Sequence, residues 1–171
     1  FGGFSAESLR SRLNDAQAEL IITADGGYRK GRVSALKPTV DDALALPGDG
    51  RPCSVEKVLV VKRGGNEVEM KDGRDIWWED EISAYDGEHT AQGFPAQRPP
   101  FILHTSGTTG HPKGATLTHA NLVINAAQAR AWVPQVQRGT SVVYAVLPMF
   151  HAYGLTLCLT LAMSMGSRLV L

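Results

Sequence analysis

"FILHTSGTTGHPKGATLTHANLV", residues 101–123, is the stretch from which the rest of the chain can be read. Four hydroxyl side chains, Thr105, Ser106, Thr108 and Thr109, surround Gly107 and Gly110, and Lys113 follows. "FILHT" has the composition of a strand, and Thr118 is placed to cap a helix over "HANLVINAAQARAW". The glycines let the backbone approach an anion and permit positive φ. Hydroxyls and backbone N–H groups can then donate to phosphate oxygens, with Lys113 as a point charge. The spacing is not that of a Walker A loop, where the lysine directly follows the second glycine. A polar surface turn between two elements is the plainer reading of the same residues. Either way, strand, turn and helix in succession are the grammar of an α/β sheet.

Upstream the same alternation holds. "FSAESLRSRLNDAQA" reads as a helix with Ser5 as N-cap and Leu9, Leu13 and Ala16 on one face. "LIIT" (20–23) is a short buried strand, and "ADGGYRKGR" a glycine-rich basic loop. "PTVDDALAL" is a second helix with Pro38 in its first turn. "VEKVLVV" (55–61) is a strand and "DIWWEDEISAY" (75–85) an amphipathic helix, with Trp77 and Trp78 as packing residues. The following stretch to residue 100 is polar, proline-containing and aperiodic, so it reads as a linker or long surface loop. Downstream, "SVVYAVL" (141–147) reads as a buried strand, "GLTLCLTLAMSM" as a buried helix and "SRLVL" as the start of another strand. The expected fold is therefore α/β, a parallel β-sheet flanked by helices.

Composition narrows the function. Of 171 residues, 43% are apolar and 20% charged, which suits a globular chain. Seventeen basic and seventeen acidic side chains cancel, which argues against a nucleic-acid partner or a charged membrane surface. Cys53 and Cys158 have neither metal-ligand spacing nor a base partner, so no metal site and no thiol nucleophile is expected. A reducing cytoplasm fits. Residues 152–165, the most apolar run, are too few to span a bilayer, so no transmembrane segment is expected. The chain starts at Phe1 without methionine and stops inside an apolar run, which is read as a fragment cut at both ends.

"TSGTTGHPKGATLTHANL" resembles the phosphate-loop signature of the adenylate-forming (AMP-binding) enzymes, among them acyl-CoA synthetases. The match runs through Thr105–Gly110, Pro112, Lys113, Gly114, Leu117, Thr118, His119 and Asn121. His104 departs from it, standing where an aromatic is more usual. The resemblance implies a two-step ligase using ATP, Mg2+ and coenzyme A. A carboxylic acid is joined to AMP with release of pyrophosphate, and a thiol then displaces AMP. Thr105, Ser106, Gly107, Thr108, Thr109, Gly110 and Lys113 would bind the ATP phosphates, Lys113 through electrostatics. The fold implied is part of the family's large N-terminal domain.

The two ends resemble different branches. "FGGFSAESLRSRLNDAQAELIITADGGYRKGR" and "GRDIWWED" are similar to acetyl-CoA and propionyl-CoA synthetases. There, residues matching Phe1, Gly2 and Gly3 border the adenine end of coenzyme A, and arginines matching Arg29 and Arg32 hold its phosphates. By composition alone, Arg29, Lys30 and Arg32 make either a phosphate-recognising patch or a solvated loop. "LPMFHAYGLTLCLTLAMSMGSRLVL" resembles bacterial long-chain fatty-acyl-CoA ligases. The resemblance makes His151 a wall of the acyl-adenylate pocket; spacing alone makes it a helix-start residue satisfied by backbone. The expected organisation is an acetyl-CoA-synthetase-like segment over 1–82, a linker over 83–100 and an AMP-binding segment over 101–171. The Y-G-x-T-E and T-G-D segments of the family are absent, as is the C-terminal part of such an enzyme. The 171 residues alone are accordingly expected to be inactive. A non-catalytic nucleotide-binding remnant and an artificial chimera of two ligases are the alternatives. Acid chain length stays open at this stage.

Overall fold

A computed structural model describes residues 4–47, 52–105 and 113–171. The chain forms two compact units, Phe1–Ala91 with His104–Gly114, and Gln92–Leu103 with Ala115–Leu171.

In the first unit, α1 (Ala6–Ala16) begins where the Ser5 hydroxyl accepts from the Ser8 N–H at 3.3 Å. It ends at Gln17, in the left-handed region at φ 49°. Strands β1 (Leu20–Ala24), β4 (Lys57–Val61) and β5 (Asp75–Trp77) form a parallel sheet with β4 in the centre. Ile21 lies opposite Val58, Thr23 opposite Val60, and Val60 opposite Trp77. This register puts Ile21, Val58 and Val60 on one face. That face meets Leu9 and Leu13 of α1 and Val40 and Leu44 of α2 (Lys37–Ala45), with Trp77 at its edge. Val58 and Val60 are wholly buried, each worth roughly 1.5–3 kcal/mol in burial. On the other face Leu20 and Ile22 stay 48% and 58% exposed, so β1 is half-buried rather than buried as its composition suggests.

In this unit two segments take a different secondary structure from the sequence expectation. The basic loop is a hairpin, β2 (Gly26–Arg29) with β3 (Arg32–Ala35). Lys30 and Gly31 both have positive φ, 50° and 75°, as a two-residue turn matched to strand twist requires. Residues 75–85 are not one helix. Ile76 pairs with Leu59 in β5, and only Trp78–Ile82 (α3) is helical. Pairing with β4 satisfies the β-preference of Ile76 and Trp77. The helix starts where Glu79, Asp80 and Glu81 can complement its dipole.

In the second unit, α4 (His119–Trp132) opens with a reciprocal cap. The Asn121 N–H donates to Thr118 Oγ1 at 3.2 Å, and the Thr118 N–H to Asn121 Oδ1 at 2.9 Å. Strands β8 (Val142–Tyr144) and β9 (Arg168–Val170) are parallel, joined through α5 (Ala152–Gly154), a π-helical stretch (Leu155–Thr160) and α6 (Leu161–Met165). The Thr160 hydroxyl donates to the Leu155 carbonyl at 2.9 Å inside that wide turn. Ala126, Cys158, Leu161, Ala162 and Met165 are buried, and Gly166, at φ 59°, terminates the helix. β8 is shorter than the expected 141–147 and is not buried, since Val142 and Tyr144 are exposed. Strands β6 (Phe101–Thr105) and β7 (Lys113–Leu117) pair with each other. β7 replaces what reads in sequence as a continuation of the loop. Among the described residues the strands make four small sheets, not one. The α/β class holds: β1 reaches β4 through the hairpin and α2, β8 reaches β9 through helices, and a stretch without helix, 62–74, links β4 to β5.

Candidate functional site

The hydroxyl-rich stretch lies in sequence between β6 and β7. Thr105 ends β6 and Lys113 begins β7, so paired strands hold both ends of the loop. Ser106, Gly107, Thr108, Thr109 and Gly110 lie outside the described residues, as do Phe1, Gly2 and Gly3. Lys113 is exposed. Beyond β7 the Thr118 cap fixes where α4 starts, so strand, loop, strand and helix follow within 32 residues, 101–132. His104, in the strand before the loop, is largely buried, with Nδ1 3.8 Å from Asp15 Oδ2 of α1.

Arg29 and Arg32 face each other directly across the β2–β3 turn. Both are exposed, with Lys30 between them. Two guanidinium-bearing residues in direct cross-strand register present their donors side by side, a spacing suited to one anion. The hairpin thus turns the sequence pattern R-K-G-R into a cationic tip.

The base of this hairpin is fixed by a residue that sequence reasoning passed over. Asp25 follows β1 and is 2% exposed. Its Oδ1 accepts from the N–H groups of Gly26 (2.6 Å), Arg63 (2.9 Å) and Gly64 (2.7 Å), and its Oδ2 from Gly65 (2.8 Å). Its own N–H donates to Val61 O, and its carbonyl accepts from Leu36 N–H and Asn66 Nδ2. Burial opposes ionisation, but the donors from Gly64, Arg63, Gly26 and Gly65 more than offset it and hold the carboxyl at about 2. The one signal in the sequence is an acid at the end of an apolar strand, directly before two glycines.

A second buried cluster sits at the start of α2. Lys37 Nζ, fully buried, donates to both Asp41 carboxylate oxygens at 2.8 and 2.7 Å and to Glu69 O at 3.1 Å, and pairs with Asp75 Oδ2 at 2.7 Å. Arg74 reaches Asp75 at 2.5 Å and also pairs with Asp41. Burial works against the Asp75 charge, yet Arg74 and Lys37 hold its carboxyl well below the usual range. Asp75 in turn raises the Arg74 guanidinium further. This cluster ties α2 to β5.

In the second unit His151 caps α5. Its Nδ1 accepts from the Tyr153 N–H at 3.2 Å and its carbonyl from the Leu155 N–H at 2.9 Å. Gly154 packs so closely on the Pro148 carbonyl that no side chain fits there. With Nδ1 used as an acceptor, Nε2 remains as the donor of the neutral ring. A groove of about 610 Å³ beside this helix is lined by Asn125, Gln128 and Trp132 of α4 and by Tyr153, Thr156 and Leu157.

Among the described residues no three His, Cys, Asp or Glu side chains cluster to hold a metal. Among the described residues, no helix is long and apolar enough to cross a membrane. Cys53 and Cys158 are free thiols.

The profile described as AMP-binding enzyme matches residues 1–171. Acetyl-coenzyme A synthetase of Streptomyces avermitilis is 58% identical over 114 residues, 67% of this chain and 17% of that protein. The enzyme of the same name from Mycobacterium tuberculosis is 51% identical over 114 residues, again 67% of this chain and 17% of the relative. That of Rhodopirellula baltica is 47% identical over 133 residues, 78% of this chain and 19% of the relative. The chain spans less than a fifth of the length of these relatives.

Proposed function

This chain belongs to the AMP-binding enzyme family, and we propose that it serves an AMP-forming carboxylate–CoA ligase, contributing the ATP phosphate loop and part of the coenzyme A site. The observation that carries this reading is the loop's position between the paired strands β6 and β7, with Lys113 at the start of β7 and a capped helix next in sequence. Thr105, Ser106, Gly107, Thr108, Thr109 and Gly110 surround the β- and γ-phosphates, and Lys113 offsets their charge. A carboxylate oxygen attacks the α-phosphorus, the bond to the bridging oxygen breaks, and pyrophosphate leaves with the electron pair. Charge migrates onto the leaving phosphates in that step, where fixed N–H donors and a lysine stabilise it most. Magnesium, when bound with ATP, supplies further charge neutralisation. Arg29 and Arg32 hold coenzyme A phosphates for the second step, with Phe1, Gly2 and Gly3 at its adenine.

Acetate is the acid that the relatives' names favour. A longer acid is the second reading, favoured by the groove between α4 and the helix that His151 caps. Segments 1–82 and 101–171 then divide the work into a coenzyme A side and a nucleotide side, with 83–100 between them. We place the protein in the cytoplasm, where two free thiols persist.

The first test is titration of the chain with ATP·Mg2+ by calorimetry. Lys113→Ala is expected to weaken binding at least tenfold; equal affinity sinks the phosphate-loop assignment. The second test replaces the matching segment of the Streptomyces avermitilis relative with this chain. Carboxylate-dependent ATP–pyrophosphate exchange is then measured with acetate and with a long-chain acid. Exchange with one acid fixes chain length. Nucleotide binding without exchange in that setting supports the non-catalytic remnant.

A further inference from the structure

We propose that Asp25 is a positioning residue for coenzyme A: its buried carboxylate sets the orientation of the hairpin that carries Arg29 and Arg32. The inference rests on the coenzyme A reading of that hairpin. Asp25 never touches the ligand in this scheme. It acts through backbone.

The geometry is that of a knot with three strands leaving it. β1 ends at Ala24, β2 starts at Gly26, and the 63–65 turn is drawn in from 38, 39 and 40 residues away. The Asp25 carbonyl also accepts from Leu36, the first residue after β3. Both legs of the hairpin are therefore tied to one residue. Gly64 then lies against the hairpin base: a Cβ there would stand 3.0 Å from Gly26 Cα and 3.0 Å from Val33 Cγ1. A two-stranded hairpin has little stability by itself and takes its direction from what grips its base. Here the grip is four N–H donors on one carboxylate. Arg29 and Arg32 sit three to four residues out, at the free end, where a small rotation at the base becomes a large displacement.

Neutralising the carboxylate leaves a buried acceptor with half its capacity. In Asp25→Asn one oxygen becomes an NH2 group facing N–H donors. The 63–65 turn loses its anchor and the cationic tip loses its fixed direction. The apolar core of the sheet, Ile21, Val58 and Val60, takes no part in the carboxylate's hydrogen bonds, and the Asp25 N–H bond to Val61 O does not use the side chain.

The test titrates the 171-residue chain with coenzyme A and records amide NMR spectra of the same samples. Asp25→Asn is expected to weaken coenzyme A binding at least tenfold, to move the Gly64 and Gly65 amide signals upfield, and to broaden those of residues 29–32. Val58→Ala is the control for general destabilisation: it lowers Tm while leaving affinity within twofold. Gly64→Ala gives a second route, prying the turn from the hairpin with the carboxylate intact; the same loss of affinity is expected even if Asp25→Asn does not fold. Wild-type affinity in either folded variant overturns the positioning role, as does an equal loss in Val58→Ala. The double variant Arg29→Ala/Arg32→Ala tests the underlying reading separately. If it binds coenzyme A as tightly as wild type, the hairpin is not the coenzyme A site, whatever Asp25 does.

Discussion

Lys37 and Asp75 are both sealed from solvent, and neither could be so alone. A buried ion pair adds little net stability over an apolar pair, but removing one member strands the other. Asp75→Ala is therefore expected to cost about 3–5 kcal/mol in a urea unfolding curve. Asp25 gives the complementary pH prediction. Its folded pKa, about 2, lies below its ordinary 3.8. Between those values the unfolded chain binds more protons, so stability rises with pH. The contribution is complete above about pH 4 and is lost as pH falls through 2. Asp75 is shifted in the same direction. Acid unfolding followed by circular dichroism should steepen below pH 4, and less so in Asp25→Asn. Lys113, Arg29 and Arg32, the residues proposed to meet ligand, stand out in the sequence because their chemistry is written locally. Asp25 and Lys37 do not, because apart from Gly26 and Asp41 the groups that explain them lie about 30–40 positions away.

Helices were read from sequence more reliably than strands, and the reason is where their determinants lie. Ser5 and Thr118 announce α1 and α4 from within the first turn. Replacing Thr118 with Ala should cost about 1 kcal/mol and raise amide exchange over residues 119–122. The hairpin was missed because its turn uses Lys30-Gly31 rather than Asn-Gly. Positive φ at Lys30 is a strain that pairing on both sides tolerates. Gly31→Ala, at φ 75°, is expected to cost about 1–2 kcal/mol and to loosen the tip, seen as a lower Tm and weaker coenzyme A binding. The expected helix over 75–85 failed at its start, because Ile76 found a partner strand that composition could not name. The π-helical turn at Leu155–Thr160 had no legible signal.

At the scale of the whole molecule, charge and exposed surface act together. The formal net charge is zero at pH 7, and Trp132, Val146 and Met163 are among the large apolar side chains left in solvent. Turbidity of concentrated samples should peak near neutral pH and fall as pH moves away in either direction, because repulsion returns with net charge. The α/β class followed from alternation, while the division into small sheets did not, since strand partners are a property of the fold. One of those partnerships has a consequence in time. Among the described residues β1 pairs with β4, about 40 residues later in the chain. A ribosome adding roughly 5–20 residues per second needs about 2–8 s to supply them. During that interval Leu20, Ile21 and Ile22 wait for the strand they pair with here. The nascent chain is then most open to capture by a chaperone or by a neighbour's unpaired strand.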